Sequence, residues 1–205
     1  MPIKRANREY KKGKPFKDSR KFIIVCEGKR EVEYFNFFHD RYKNLIIEII
    51  DHDNNSAPKK LTEKAVEYIE NEDWDYSLDD ELWFVVDTDR WGKQLYELSQ
   101  LCKGNKNWFM ANSNPCFEVW LYYHVKCEKI EEGNSSRMKQ ALNKVRPGGY
   151  NLNKFITEFP KAITCAKGLD KNMNQLISEI GITKVYLLGL KLLELIPMDN
   201  GARNI

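Results

Sequence analysis

The sequence predicts an α/β protein: a mostly parallel sheet flanked by helices, with a helical C-terminal elaboration. Three observations carry that expectation. Short β-branched runs alternate with segments of helical spacing from Phe22 to Val125, two of the runs end directly on acidic residues, and beyond about Ser135 helical patches replace the strand signal. Strands that alternate with helices form a parallel sheet covered on both faces. Right-handed crossovers bring the carboxyl ends of such strands to one edge, where ligands bind.

A basic arm comes first. Residues 1–21 carry nine Lys or Arg against Glu9 and Asp18 alone, while the whole chain has a formal net charge of +3, so the remainder is mildly acidic. Such an arm either holds phosphates by counterion release or is a solvated terminus. Phe22–Cys26 is the first strand, Glu27-Gly28 a turn, and Lys29–Tyr42 a helix with apolar and aromatic residues on one face. Leu45–Ile50 reads as a second strand, Asp51–Pro58 as a loop, and Leu61–Glu70 as an amphipathic helix. Leu82–Val86 is a third strand running into Asp87-Thr-Asp89, Gln94–Cys102 a helix, and Asn107–Ala111 a fourth strand. Asn114-Pro115 opens a helix that continues to Val125, with proline in its first turn. Helical patches follow at Arg137–Val145, Leu152–Glu158, Lys171–Ile180 and Val185–Leu195, broken at Pro147-Gly-Gly149 and Gly181. The expected organisation is the arm (1–21), an α/β core (22–128) and a helical extension of the same domain (129–205).

Composition excludes several classes. A hydrophobic fraction of 42% is that of a globular chain, and no apolar run approaches the roughly 18 residues of a membrane span. The first 21 residues are basic and polar, unlike a secretory signal, which points to the cytoplasm. Five scattered cysteines (Cys26, Cys102, Cys116, Cys127, Cys165) with no CxxC pair read as reduced thiols in such a compartment. Cys116, His124 and Cys127 match no standard zinc finger.

The most informative feature is positional. Glu27 follows the first strand, and Asp87 with Asp89 follows the third, so all three should meet at one sheet edge. Clustered carboxylates raise one another's proton affinity unless a cation neutralises them, and hard oxygen ligands suit Mg²⁺ or Mn²⁺. An extended Asp-x-Asp sends both carboxylates to one side while Thr88 points away. Either motif alone reads as a polar turn or helix cap; together, with Gly28 allowing a tight turn, they read as a site. Glu31 on the next helix and Glu118 after the fourth strand are further oxygen donors, or else a solvated charge and a helix N-terminal charge. His124 is a catalytic candidate or a structural histidine, and His39 and His52 read as surface residues. Lys29, Arg30 and Arg90 stand where they contact phosphate or solvent. Tyr34, Phe35, Phe37, Phe38, Phe117, Trp120, Tyr122 and Tyr123 have the spacing of core residues rather than base-stacking ones.

Glu-Gly after the first strand and Asp-x-Asp after the third resemble the Toprim domain. The longer segments Phe22-Ile-Ile-Val-Cys-Glu-Gly-Lys-Arg-Glu31 with Tyr34-Phe35, Val85-Val-Asp-Thr-Asp-Arg90, and Ser113-Asn-Pro-Cys-Phe-Glu-Val-Trp120 with His124 resemble the RloB-like family, which includes the abortive-infection component AbiLii. Lys29-Arg30 departs from the acidic-then-basic pair expected before Glu31. The resemblance implies a Toprim nuclease of bacterial defence that works beside an ATPase partner on phage DNA or host RNA such as tRNA. Asp87 and Asp89 would then hold Mg²⁺, and Glu27 would share a metal or act as general base. Glu31, Glu118 and His124 complete the catalytic candidates.

Rival readings fit less well. A glycosyltransferase with Asp-x-Asp leaves Glu27-Gly28 without a role, and an aspartate-nucleophile phosphatase would carry a small hydroxyl residue where Arg90-Trp91 stands. A regulatory subunit that keeps the acids for structure and engages an ATPase is the alternative from another class.

Overall fold

The computed structural model describes residues 21–41, 46–50, 57–71, 80–148 and 150–195. The arm before Lys21, the start of the second strand at Leu45, most of the 51–58 loop and His52 lie outside them. Four strands, β1 (Lys21–Cys26), β2 (Ile46–Ile50), β3 (Glu81–Asp87) and β4 (Trp108–Ser113), form one all-parallel sheet in the order β2-β1-β3-β4. Helices α1 (Lys29–Arg41), α2 (Pro58–Asn71) and α3 (Gly92–Gly104) connect them, and α4 (Glu118–Val125), α5 (Ser135–Val145), α6 (Leu152–Ile156), α7 (Phe159–Leu169) and α8 (Val185–Leu195) follow. The α/β expectation holds.

Strand alternation sorts the core into two layers. Phe22, Ile24 and Cys26 of β1, with Trp83 and Val85 of β3, face the layer that holds α1 and the C-terminal helices. Ile23, Val25, Leu82, Phe84 and Val86 face Leu61 and Ala65 of α2 and Leu95 and Leu98 of α3. With both faces covered, β1 and β3 read as nearly continuous apolar runs. α4 is buried on all sides, because α5, α6 and α7 wrap it and the sheet closes it. This places Tyr34, Phe35, Phe38, Phe117, Trp120, Tyr122 and Tyr123 in the core, as their spacing predicts, with Phe37 half-buried against it.

Four local expectations are corrected. α4 begins at Glu118, not at Pro115, because the backbone ahead of it is held elsewhere, with Asn114 N donating to Ile182 O at 3.0 Å and Thr88 N to Pro115 O at 3.2 Å. α7 occupies Phe159–Leu169, where no separate helix is expected. Lys171–Ile180 is irregular instead of helical, because Asn112 donates to Leu176 O and accepts from Ser178 N, while Asn114 donates to Ser178 O. Cys127 and Cys165 are joined in a disulfide with Cα atoms 5.2 Å apart, so the expectation of five reduced thiols fails. Packing of α4 against α7 brings together two cysteines separated by 38 residues, which spacing alone does not reveal. Cys26, Cys102 and Cys116 are buried thiols. Among the described residues no helix is long and apolar enough to cross a membrane.

Candidate functional site

β1 and β3 are neighbours, so their carboxyl ends lie side by side: Glu27 N continues the ladder by donating to Val85 O at 3.0 Å. The buried Glu27 side chain then ties the two ends together. Its Oε2 accepts from Asp87 N at 2.8 Å and its Oε1 from Trp91 Nε1 at 2.7 Å. Burial raises the Glu27 proton affinity, the two N–H donors oppose the rise, and nearby Asp89 adds to it.

Asp87 is the centre of the cluster. Its Oδ1 accepts from Phe117 N at 2.8 Å, just ahead of α4. Burial raises its pKa well above the usual carboxylate value, and the charges of Glu31, Glu27, Glu118 and Asp89 raise it further. Every acid singled out in the sequence is thus within electrostatic reach of Asp87. Glu31 enters from the first turn of α1, is buried, and has its pKa pushed up to about 7, chiefly by burial, with Glu118 and Glu27 adding to the rise. Gly28 makes room for it: a Cβ there would stand 2.5 Å from Glu31 Oε2.

Glu118 opens α4 and faces two cations, accepting from Arg30 at 2.7 Å with Lys139 Nζ 3.9 Å away. Asp89 sits farther out, accepts from Ser135 Oγ at the start of α5, and has Arg90 Nε 3.7 Å from its Oδ1. His124 stands apart from this group. Its Nδ1 donates to Trp120 O at 2.9 Å, leaving Nε2 to accept from the Tyr34 hydroxyl at 2.9 Å inside the aromatic core. Burial lowers its pKa to about 3. His39 is exposed beside Asp40.

Sequence reasoning did not single out Trp91, Ser135 or Lys139. Asn134 caps α5 by accepting from Ser136 N and Arg137 N, and that cap is legible, but nothing in the sequence ties Ser135 to Asp89. The donor set suits a hard divalent cation: all oxygen, largely buried and mutually repelling, with no hydrogen bond to Asp87 Oδ2 among the described residues. As they stand, no three of these side chains surround one metal position among the described residues, because Glu27 turns both oxygens to N–H donors and Glu118 turns to Arg30.

Fold and edge together define a class, a parallel α/β protein that gathers carboxylates from two strand ends and two helix starts. A family model described as RloB-like protein matches residues 22–192, and the chain belongs to that family. Comparison with curated proteins finds no match, nor does comparison with solved structures.

Proposed function

We propose that this protein is a Toprim-type, Mg²⁺- or Mn²⁺-dependent nuclease that cleaves nucleic-acid phosphodiesters, either RNA such as tRNA or DNA. In this reading it is the effector of a bacterial anti-phage or abortive-infection system and works in the cytoplasm with an ATPase partner. The observation that carries the reading is the convergence on Asp87 of acids from β1, β3, α1 and α4. Asp87 and Asp89 hold the metal, and Glu31 and Glu118 are the reserve oxygens for a second ion. When bound, the ion polarises the scissile phosphate and lowers the pKa of the attacking water. Glu27 fixes the Asp87 backbone through its accepted hydrogen bond and shares the metal or takes the water's proton. Arg30 and Lys139 balance Glu118 and offer positive charge to the strand.

The test is cleavage of tRNA, single-stranded RNA, single-stranded DNA and supercoiled plasmid by the wild type and by Asp87→Asn, with Mg²⁺ or Mn²⁺ and with EDTA. The variant keeps an oxygen that accepts from Phe117 N, and its circular dichroism and melting temperature are recorded beside the wild type's. We expect metal-dependent cutting that falls at least on the order of 100-fold in the variant. Equal cutting by both proteins would refute the assignment.

A further inference from the structure

Beside the acidic edge lies a pocket of about 320 Å³, lined by Arg30, Glu118, Lys139, Arg146, Tyr150 and Phe155 among others. Three cations and one carboxylate line it; Arg30 and Lys139 pair with that carboxylate, Glu118, which is shared with the acidic cluster. Two polar atoms in its wall, Arg146 Nε and Tyr150 Oη, are buried and have no hydrogen-bond partner among the described residues. Both atoms are closed off from solvent as the side chains stand, so it is the three cations lining the pocket, Arg30, Lys139 and Arg146, that suit an acceptor-rich ligand. The rings are already engaged. Tyr150 stacks on Phe155 at 5.5 Å, the Arg30 guanidinium lies 5.1 Å over Tyr150, and that of Arg146 lies 5.4 Å over Phe155. They hold the guanidiniums in place instead of offering an open face to a base.

α5 joins this pocket to the acids. Its first residue, Ser135, donates to Asp89, and Lys139, Asn143 and Arg146 follow at spacings of four and three, which put them on one face of the helix. Arg146 closes that face as the residue that caps α5, its N–H donating to Leu142 O at 2.8 Å.

We propose that this pocket binds a backbone phosphate of the nucleic-acid strand next to the one at the acidic edge, with Arg146, Lys139 and Arg30 as its donors. The inference rests on the nuclease reading and adds to it a sequence-independent grip that aligns the strand along α5. Recognition by phosphate alone makes affinity steeply salt-dependent and indifferent to base identity.

The experiment measures binding of fluorescein-labelled 12-mers, RNA and DNA of two unrelated sequences each, by anisotropy in EDTA between 50 and 200 mM salt. Wild type is compared with Arg146→Gln and Lys139→Gln; Lys139 is largely exposed, so its variant tests the pocket without disturbing the fold. Each variant should bind all sequences about tenfold more weakly, with a salt slope shallower by about 0.7 to 1. RNA and DNA responding alike assigns the contact to the phosphate that both share, and a loss confined to one of them would overturn it. No binding by the wild type, unchanged binding by both variants, or a loss confined to one base sequence would each overturn the proposal. Cleavage in Mg²⁺ is scored separately. Cutting that depends on Asp87 with no change in binding removes the pocket and keeps the nuclease, and the opposite pattern does the reverse.

Discussion

Gly28 and Glu31 share one space, since a methyl group on the glycine would stand 2.5 Å from the glutamate's Oε2. The glutamate is the flexible partner, so Gly28→Ala should displace that carboxylate and leave the chain folded. We expect stability within about 1 kcal/mol of wild type and nuclease activity lower by on the order of 10- to 100-fold. Wild-type cutting by the alanine variant would show that Glu31 has no part in the site. His124 makes the opposite kind of prediction. Its ring is neutral in the core, where Tyr34 and Trp120 fix the tautomer and burial lowers the pKa to about 3. The unfolded chain binds that proton below its ordinary value of 6.5, whereas the folded chain refuses it until about pH 3. Stability therefore falls as pH drops through this window, by on the order of 5 kcal/mol in total. Urea unfolding of wild type and His124→Gln at pH 7 and pH 4 reads this directly, and parallel curves for the two proteins would remove the histidine from the account. Sequence could not separate a catalytic from a structural histidine, because the distinction lies in Tyr34, ninety residues away.

At the scale of elements, Lys171–Ile180 shows how tertiary bonds override periodicity. Met173, Leu176, Ile177 and Ile180 have a helix-like spacing, yet Asn112 and Asn114 on and just after β4 capture the backbone at Leu176 and Ser178. Lys184 completes the restraint. Buried with Asp170, it donates to Asp170 Oδ2 at 2.7 Å and to the carbonyls of Asn172 and Met173 at 3.3 and 3.2 Å. Lys184→Met leaves the Asp170 carboxylate buried without its cation and should cost about 3–5 kcal/mol. Adding Asp170→Asn should restore more than half of the loss in denaturant titrations; a double variant as weak as the single one would contradict this account of the pair. Gly181 ends the segment at a φ of 74°, and a Cβ there would stand 1.8 Å from Ile130 O. The spacing ends one helical patch at Glu158 and resumes at Lys171, so α7 is not expected between them, although Pro160 is at home in the first turn of a new helix. The first four strands and the helices between them were legible because alternating buried faces impose the period directly.

Across the whole molecule, the acidic edge is a product of crossover topology, which places the ends of β1 and β3 together and aims the starts of α1 and α4 at them. Concentrating carboxylates there destabilises the metal-free protein as pH rises. Glu31 keeps its proton up to about pH 7 in the folded chain and loses it near 4.5 when unfolded. The stability linked to this proton is therefore fully present below pH 4.5 and lost as pH rises through about 7. A divalent cation should reverse that loss. Mg²⁺ at about 100 times its dissociation constant adds about 2.7 kcal/mol, so thermal melts should rise on adding Mg²⁺ at pH 8, rise little at pH 5, and respond weakly in Asp87→Asn. Identical melting in Mg²⁺ and EDTA at pH 8 would count against a metal at this edge. Sequence by itself determined the parallel α/β class and the identity of Glu27, Asp87, Asp89, Glu31 and Glu118, because strand period and residue order are local properties. Tertiary structure alone decided that these acids share one charge field around Asp87, that His124 belongs to the core, that Cys127 meets Cys165, and that Arg146 and Tyr150 wall a basic pocket. Those facts depend on packing between residues tens of positions apart, which no local periodicity encodes.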